Sequence, residues 1–183
     1  MLWLGLCVGL GLTACASLRS TNTLPLRPSR QDIAAFTIEA RINVRRGEKS
    51  SGARLSWQHQ AERDEMLVTG PFGQGIAELV RDAAGARMTG ADHKEIAARD
   101  WDTLTEKVFG ITLPLNGIAR WLPGNATRAE YDALGHPIHA EEQGWHIAWL
   151  AYESAATNAL PTVVTLQRDD IEVRLKIDQW QLN

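Results

Sequence analysis

The sequence predicts a mainly β domain, a long curved antiparallel sheet with one apolar face that is covered by helices. Three observations predict it. Apolar and polar residues alternate at a period of two in successive runs between Phe36 and Ala98, and again between Trp145 and Trp180; this is how strands with one buried and one wet face read. Short polar or glycine-containing turns separate the runs, so consecutive strands pair as antiparallel neighbours. Residues 100–122 switch to helical spacing, which inserts helices between two blocks of strands.

The chain has 183 residues and a formal net charge of -3. That is enough for one domain with a sizeable core or cavity. No basic stripe accompanies it, so nucleic acid is not an expected partner.

The segment Met1 to Leu12, MLWLGLCVGLGL, carries no charged side chain. It is too short to span a bilayer as a helix and suits the apolar region of a signal peptide. It runs into Leu12-Thr13-Ala14-Cys15, a lipobox: a bulky aliphatic residue, two small residues that let a peptidase approach the backbone, then the cysteine to be acylated. The basic residues usual ahead of such a segment are absent. Residues 1–14 are thus expected to be a signal peptide, and Cys15 to carry an S-diacylglycerol and an N-acyl group. Cys7 would leave with the leader, so no disulfide is expected within the chain. Ala16 and Ser17 follow Cys15; without an aspartate there, the expected destination is the outer membrane, facing the periplasm.

Residues 15–30 are polar, with Pro25 and Pro28, and read as a lipidated tether ahead of a domain over 31–183. Ser29 is placed to cap a short helix over 30–35. Phe36, Ile38, Ala40, Ile42 and Val44 then alternate with polar residues. Gly47-Glu48-Lys49 turns the chain into a second strand with Ala53, Leu55 and Trp57 on its apolar face. Residues 60–64 are polar and read as the next turn. Strands follow over 65–69 and 76–81, with weaker ones near 86–89 and 94–98. Asp100 or Asp102 can cap a helix that places Trp101, Leu104, Val108 and Phe109 on one side and stops at Gly110. After Pro114, Leu115, Ile118, Ala119 and Leu122 form a second short apolar face beside Trp121, stopped by Pro123-Gly124-Asn125. A weak strand over 136–142 precedes clear ones over 145–150, 160–167 and 171–177, the last with Ile171, Val173, Leu175 and Ile177 on one face.

The chemistry of a catalyst is not legible. No nucleophile elbow, zinc-protease helix, phosphate loop or Cys-x-x-Cys pair occurs. His136-x-x-His139 could hold a metal on a helix, but Pro137 forbids a regular helix there. The five histidines are expected to lie in solvent, and the carboxylates to scatter over polar faces. No enzyme activity, metal or bound cofactor is expected.

Several spaced pieces, taken in order, resemble the LolB family of outer-membrane lipoproteins. They are the strand pair around FTIEARINV and SGARLSWQH; Gly70-Pro71-Phe72-Gly73 before an apolar strand; FGITLPLNGIARWLPG, with Gly110, Pro114, Leu115, Trp121 and Gly124; and GWHIAWLAY, then Leu160-Pro161, then IEVRLKIDQW. The resemblance runs from about Phe36 to Trp180. It implies an unclosed antiparallel β-barrel of about eleven strands, with a helical lid over an apolar cavity for acyl chains. It also implies a function: accepting acylated lipoproteins from the periplasmic carrier LolA and inserting them into the outer membrane. The partners would be LolA, the acyl chains of cargo and the inner leaflet of the outer membrane, with the protein acting as a monomer.

The expected cavity wall is Phe36, Ile38, Ile42, Leu55, Trp57, Trp145, Ile147, Trp149, Val173 and Leu175. The expected lid is Val108, Phe109, Ile118 and Trp121. The turn at Phe72 usually reads Pro-Leu-Gly in the family, with a protruding leucine tied to membrane insertion. The resemblance carries that role to Phe72, since proline and glycine on either side leave the aromatic ring at a tight tip. Two other functions fit a lipidated one-sided sheet: an assembly lipoprotein with a solid core, and a lipocalin-like carrier of small hydrophobic ligands.

Overall fold

A computed structural model describes residues 27–183. The expected signal peptide, Cys15 and the tether up to residue 26 lie outside the described residues. The first block of strands is β1 (Phe36–Arg46), β2 (Lys49–Gln60), β3 (Arg63–Thr69), β4 (Gly75–Asp82), β5 (Gly85–Gly90) and β6 (Glu95–Ala98). Two helices follow, α1 (Trp101–Phe109) and α2 (Leu115–Trp121). The second block is β7 (Glu130–Tyr131), β8 (Pro137–Glu142), β9 (Trp145–Tyr152), β10 (Pro161–Arg168) and β11 (Ile171–Leu182).

All eleven strands form one antiparallel sheet in the order β6-β5-β4-β3-β2-β1-β11-β10-β9-β8-β7. The chain works outward from β1 to one edge, crosses to the other edge through the two helices, and works back until β11 pairs with β1. The crossover must span the whole sheet, and the only face that needs covering is the apolar one, so the helices lie there. The sheet does not close: β6 and β7 are its edges, and both are short, which limits their capacity to template further strands. Curvature comes partly from a bulge between β1 and β11, where Glu39 faces Gln179 but Ala40 faces Ile177. Asp178 is the extra residue, and bulges of this kind bend a strand and increase its twist.

The burial of β1, β2, β9 and β11 follows the alternation read from the sequence. Phe36, Ile38, Ala40, Leu55, Trp57, Trp145, Ile147, Trp149, Val173, Leu175 and Ile177 are buried on the inner face. Asp100, not Asp102, caps α1, its carboxylate accepting from Thr103 N at 2.8 Å. Gly110 ends the helix in the left-handed region at φ 67°. At nine and seven residues, α1 and α2 are too short to be stable alone in water. Packing holds them. Fully buried Leu104 and Leu122 each contribute about 1.5–3 kcal/mol of apolar burial.

The structure corrects several expectations. The helix after Ser29 is a single 3-10 turn, Arg30–Asp32, and Ser29 Oγ bonds the Asp32 carboxylate (2.6 Å) in place of a backbone N–H. Ile33 is already extended, because the chain must straighten to enter β1. Residues 63–64, read as turn, belong to β3, and Asp64 is buried. His136 is also buried, stacked on Tyr152 at 4.1 Å with Nε2 2.7 Å from the Ala156 carbonyl. His59 is half-buried, its Nδ1 2.6 Å from Asp64. Both imidazoles fill space beside aromatic rings, a packing role that local polarity does not reveal.

An apolar hollow with an exposed aromatic at its mouth

Between the inner face of the sheet and the two helices lies a hollow of about 450 Å³, within the usual range of roughly 300–1,000 Å³ for ligand sites. Leu55, Trp57, Met66, Leu79, Val173 and Leu175 form its sheet wall. Trp101, Phe109, Ile111, Leu113, Leu115 and Ile118 cover it. Polar side chains on the lining are few. Thr105 is one, and its hydroxyl is used locally: it donates to the Asp102 carbonyl and accepts from Leu113 N at 3.0 Å. That pair of bonds fastens the α1–α2 connection over the hollow and leaves an aliphatic surface toward its interior.

The hollow is closed at one end and open at the other. Trp57, Met66 and Leu79 are buried at the closed end. Lining residues Val44, Ile76 and Phe109 are 36%, 43% and 46% exposed. They sit at the end of β1, the start of β4 and the end of α1, so together they rim a mouth, with Arg46 and Ser51 beside them. Exposed apolar residues gathered around an apolar hollow are a feature of interaction and ligand sites.

Of the ten residues expected to line a cavity, Ile42, Leu55, Trp57, Val173 and Leu175 do so. Phe36, Ile38, Trp145, Ile147 and Trp149 instead lie in solidly packed core beside the hollow. Two fully buried residues of the α2 region, Trp121 and Leu122, belong to that same packed half. Trp149 Nε1 donates to the Trp121 carbonyl at 2.8 Å, locking helix to sheet. Of the expected lid, Phe109 and Ile118 face the hollow; Trp121 is part of the solid core, and Val108 is half-buried against it. Sequence reading missed Trp101, Thr105, Ile111 and Leu113. The helical spacing that marked Trp101 as apolar could have found it, but nothing in the irregular stretch 111–113 signals that it covers a hollow.

The Phe72 turn joins β3 to β4, next to Ile76 of the rim. Gly73 N donates to the Gly70 carbonyl at 3.0 Å, and Gly70 N to the Gln74 carbonyl at 2.8 Å. Phe72 N donates to Gln74 Oε1 at 3.2 Å, and Gly73 adopts φ 81°, which favours glycine. A side chain at position 70 would collide with Gln74. The turn is thus braced on every side while its aromatic ring is 95% exposed. Among the described residues no group of His, Cys, Asp and Glu is placed to hold a metal ion, and no helix is long and apolar enough to cross a membrane.

The chain is thus an open half-barrel, lidded by helices, with a hollow on its apolar side. Residues 34–180 match the family described as outer membrane lipoprotein LolB, and the chain belongs to that family. It is similar to the outer-membrane lipoprotein LolB of Azoarcus sp. (strain BH72), 33% identical over 93% of this chain and 90% of the relative. It is 34% identical to that of Dechloromonas aromatica (strain RCB), over 83% and 84% of the two chains. The Chromobacterium violaceum protein is 31% identical over 96% of both. Among solved structures, a DUF1329 family protein from Desulfovibrio piger shares the fold alone, with a TM-score of 0.50, 8% identity and coverage of 84% and 88%. Family membership assigns the chain to the outer membrane, as a lipoprotein with a role in lipoprotein localisation.

Proposed function

We infer that the chain accepts acylated lipoproteins from the periplasmic carrier LolA and passes their acyl chains into the outer membrane. The observation that carries this reading is an aliphatic hollow whose mouth opens beside an exposed aromatic tip. In this reading residues 1–14 are removed, Cys15 is acylated, and residues 15–30 tether the domain to the inner leaflet.

The energetics dictate how transfer runs. Each buried methylene is worth about 0.8 kcal/mol, so one long acyl chain set free in water would cost on the order of 10 kcal/mol. Cargo therefore moves from cavity to cavity and never through solvent. The family's role calls for a downhill sequence: this hollow holds acyl chains more tightly than the carrier does, and the bilayer holds them more tightly still. A hollow of about 450 Å³ lies in the size range of sites for a single small ligand. Cargo with three chains requires the hollow to enlarge. Phe72, rigidly presented near the mouth, dips into the bilayer surface and brings the mouth to the membrane.

The test is a transfer assay. Carrier loaded with acylated cargo is mixed with this protein, and the two are separated. Cargo should be found on this protein at equilibrium, and in vesicles once these are added. Cargo that stays on the carrier would overturn the reading.

A further inference from the structure

The outer face of the sheet carries a second feature near the Phe72 turn. Arg41 of β1 stands directly opposite Arg54 of β2 on one side and Lys176 of β11 on the other. One rung further, Asn43 faces Gly52 and Arg174. These residues border a shallow depression of about 440 Å³, and Pro71 of the turn forms part of its rim. Arg41, Arg54, Arg174, Lys176 and Pro71 are all exposed.

Like charges placed directly opposite across strands destabilise a sheet, and here three cations occupy one row. One carboxylate relieves them: the bulge residue Asp178 pairs with Arg41 through two contacts, at 2.6 and 3.0 Å. Arg54, Arg174 and Lys176 have no ion-pair partner among the described residues, while neighbouring Arg45 and Arg46 are matched by Glu172 and Asp170. The patch thus has net positive charge in a chain of net charge -3. The Asn43–Gly52 floor adds no bulk that would keep a headgroup from the guanidinium groups.

We propose that this outer-face patch docks the phosphate headgroups of anionic phospholipids, orienting the domain so that Phe72 and the mouth meet the bilayer. The proposal rests on the reading of Phe72 as a membrane tip. Its support is charge complementarity together with continuity: Pro71 borders the patch and Phe72, the next residue, projects from it. Guanidinium forks suit phosphate oxygens geometrically, and attraction to an anionic leaflet falls off within a Debye length. The patch therefore acts at short range and adds to the hold of the tip beside it.

The experiment uses the whole mature chain from residue 15, with Cys15→Ser so that no acyl group anchors it. Binding is measured by co-sedimentation with vesicles of phosphatidylcholine alone or mixed with equal parts of phosphatidylglycerol. The variant Arg54→Gln, Arg174→Gln, Lys176→Gln should melt no lower than its parent, because it removes repulsion. It should lose affinity for anionic vesicles on the order of a hundredfold at low salt, with binding to neutral vesicles unchanged. A parent that binds both vesicles equally, or a triple variant that matches the parent on anionic ones, overturns the proposal. So does a triple variant that keeps anionic binding but loses cargo uptake from the carrier, which would make the patch a protein-docking surface. Phe72→Glu separates the two readings. If it leaves vesicle binding untouched while the triple variant still loses anionic vesicles, the tip reading fails and the patch stands.

Discussion

The indole N–H of Trp57 donates to the carboxylate of Asp64 at 2.9 Å, and both residues are buried. Trp57 is part of the hollow's wall, so a charged group sits immediately behind an apolar lining. Asp64 also meets His59 and Arg81, each at 2.6 Å. Burial alone pushes the Asp64 carboxyl up, but hydrogen bonds from His59, Trp57 and Arg81 outweigh it and hold the group below the usual carboxylate range.

Asp64→Ala leaves the Trp57 N–H without a partner and the largely covered Arg81 guanidinium without its carboxylate, held only by the carbonyls of Gln60 and Ala61. Breaking a buried, hydrogen-bonded charge pair costs about 3 kcal/mol, and urea denaturation at neutral pH should show a loss of that order. The pH dependence has a definite sign. A carboxyl whose pKa is depressed by folding stabilises above its unfolded value, about 4, and that contribution is lost as pH falls through the folded value. The gap between parent and variant should therefore be full at neutral pH and shrink below about pH 4. A gap independent of pH would show that the carboxylate's charge is not what holds Trp57.

Gly117 offers a test in which two rules oppose. Replacing a helical glycine by alanine ordinarily stabilises by about 1 kcal/mol. Here a Cβ would stand 2.8 Å from Trp121 Cζ2, and Trp121 is fully buried in the solid half of the core. Overpacking costs typically about 1–3 kcal/mol, so Gly117→Ala should lower the melting temperature. A stabilised variant would mean that Trp121 has room to move.

Phe72 makes almost no contact with the rest of the fold, so its substitution should leave stability within about 0.5 kcal/mol. Phe72→Leu should retain delivery of cargo to vesicles. Phe72→Glu should take up cargo from the carrier but release little into membranes, because a carboxylate resists leaving water. Equal delivery by both variants would remove the tip from the mechanism.

Ala53 lies on the hollow's wall near the mouth. Ala53→Phe should occupy part of the space and weaken binding of an apolar fluorescent probe by at least about tenfold, since several methylenes of contact are lost at about 0.8 kcal/mol each. Circular dichroism should be unchanged. Undiminished probe binding would place the ligand elsewhere.

How much could be read in advance follows from range. Alternation along β1, β2, β9 and β11 is a local signal, and it assigned the inner face residue by residue. The Phe72 turn was legible for the same reason, since Pro71 and Gly73 dictate its shape from adjacent positions. The division of the apolar face into hollow and solid halves was not. Trp149 and Trp57 alternate identically, but Trp149 is tied to the Trp121 carbonyl at the end of α2 while Trp57 lines a void, and that difference depends on where the helix seats. Asp64 stands in a polar run that reads as a turn, and its burial depends on Arg81, which β4 brings alongside. β7 has two residues, too few for any period to appear.

The ladder from β6 to β7 is a strip with two loose ends, whereas a sealed ring has a circumference set by its strand number and stagger. A strip can uncurl. Slight changes in the angle between neighbouring strands, each keeping its rungs intact, add up across eleven strands to a wider trough. Girth can thus change without unzipping any pair, by relaxing a curve instead of breaking a wall.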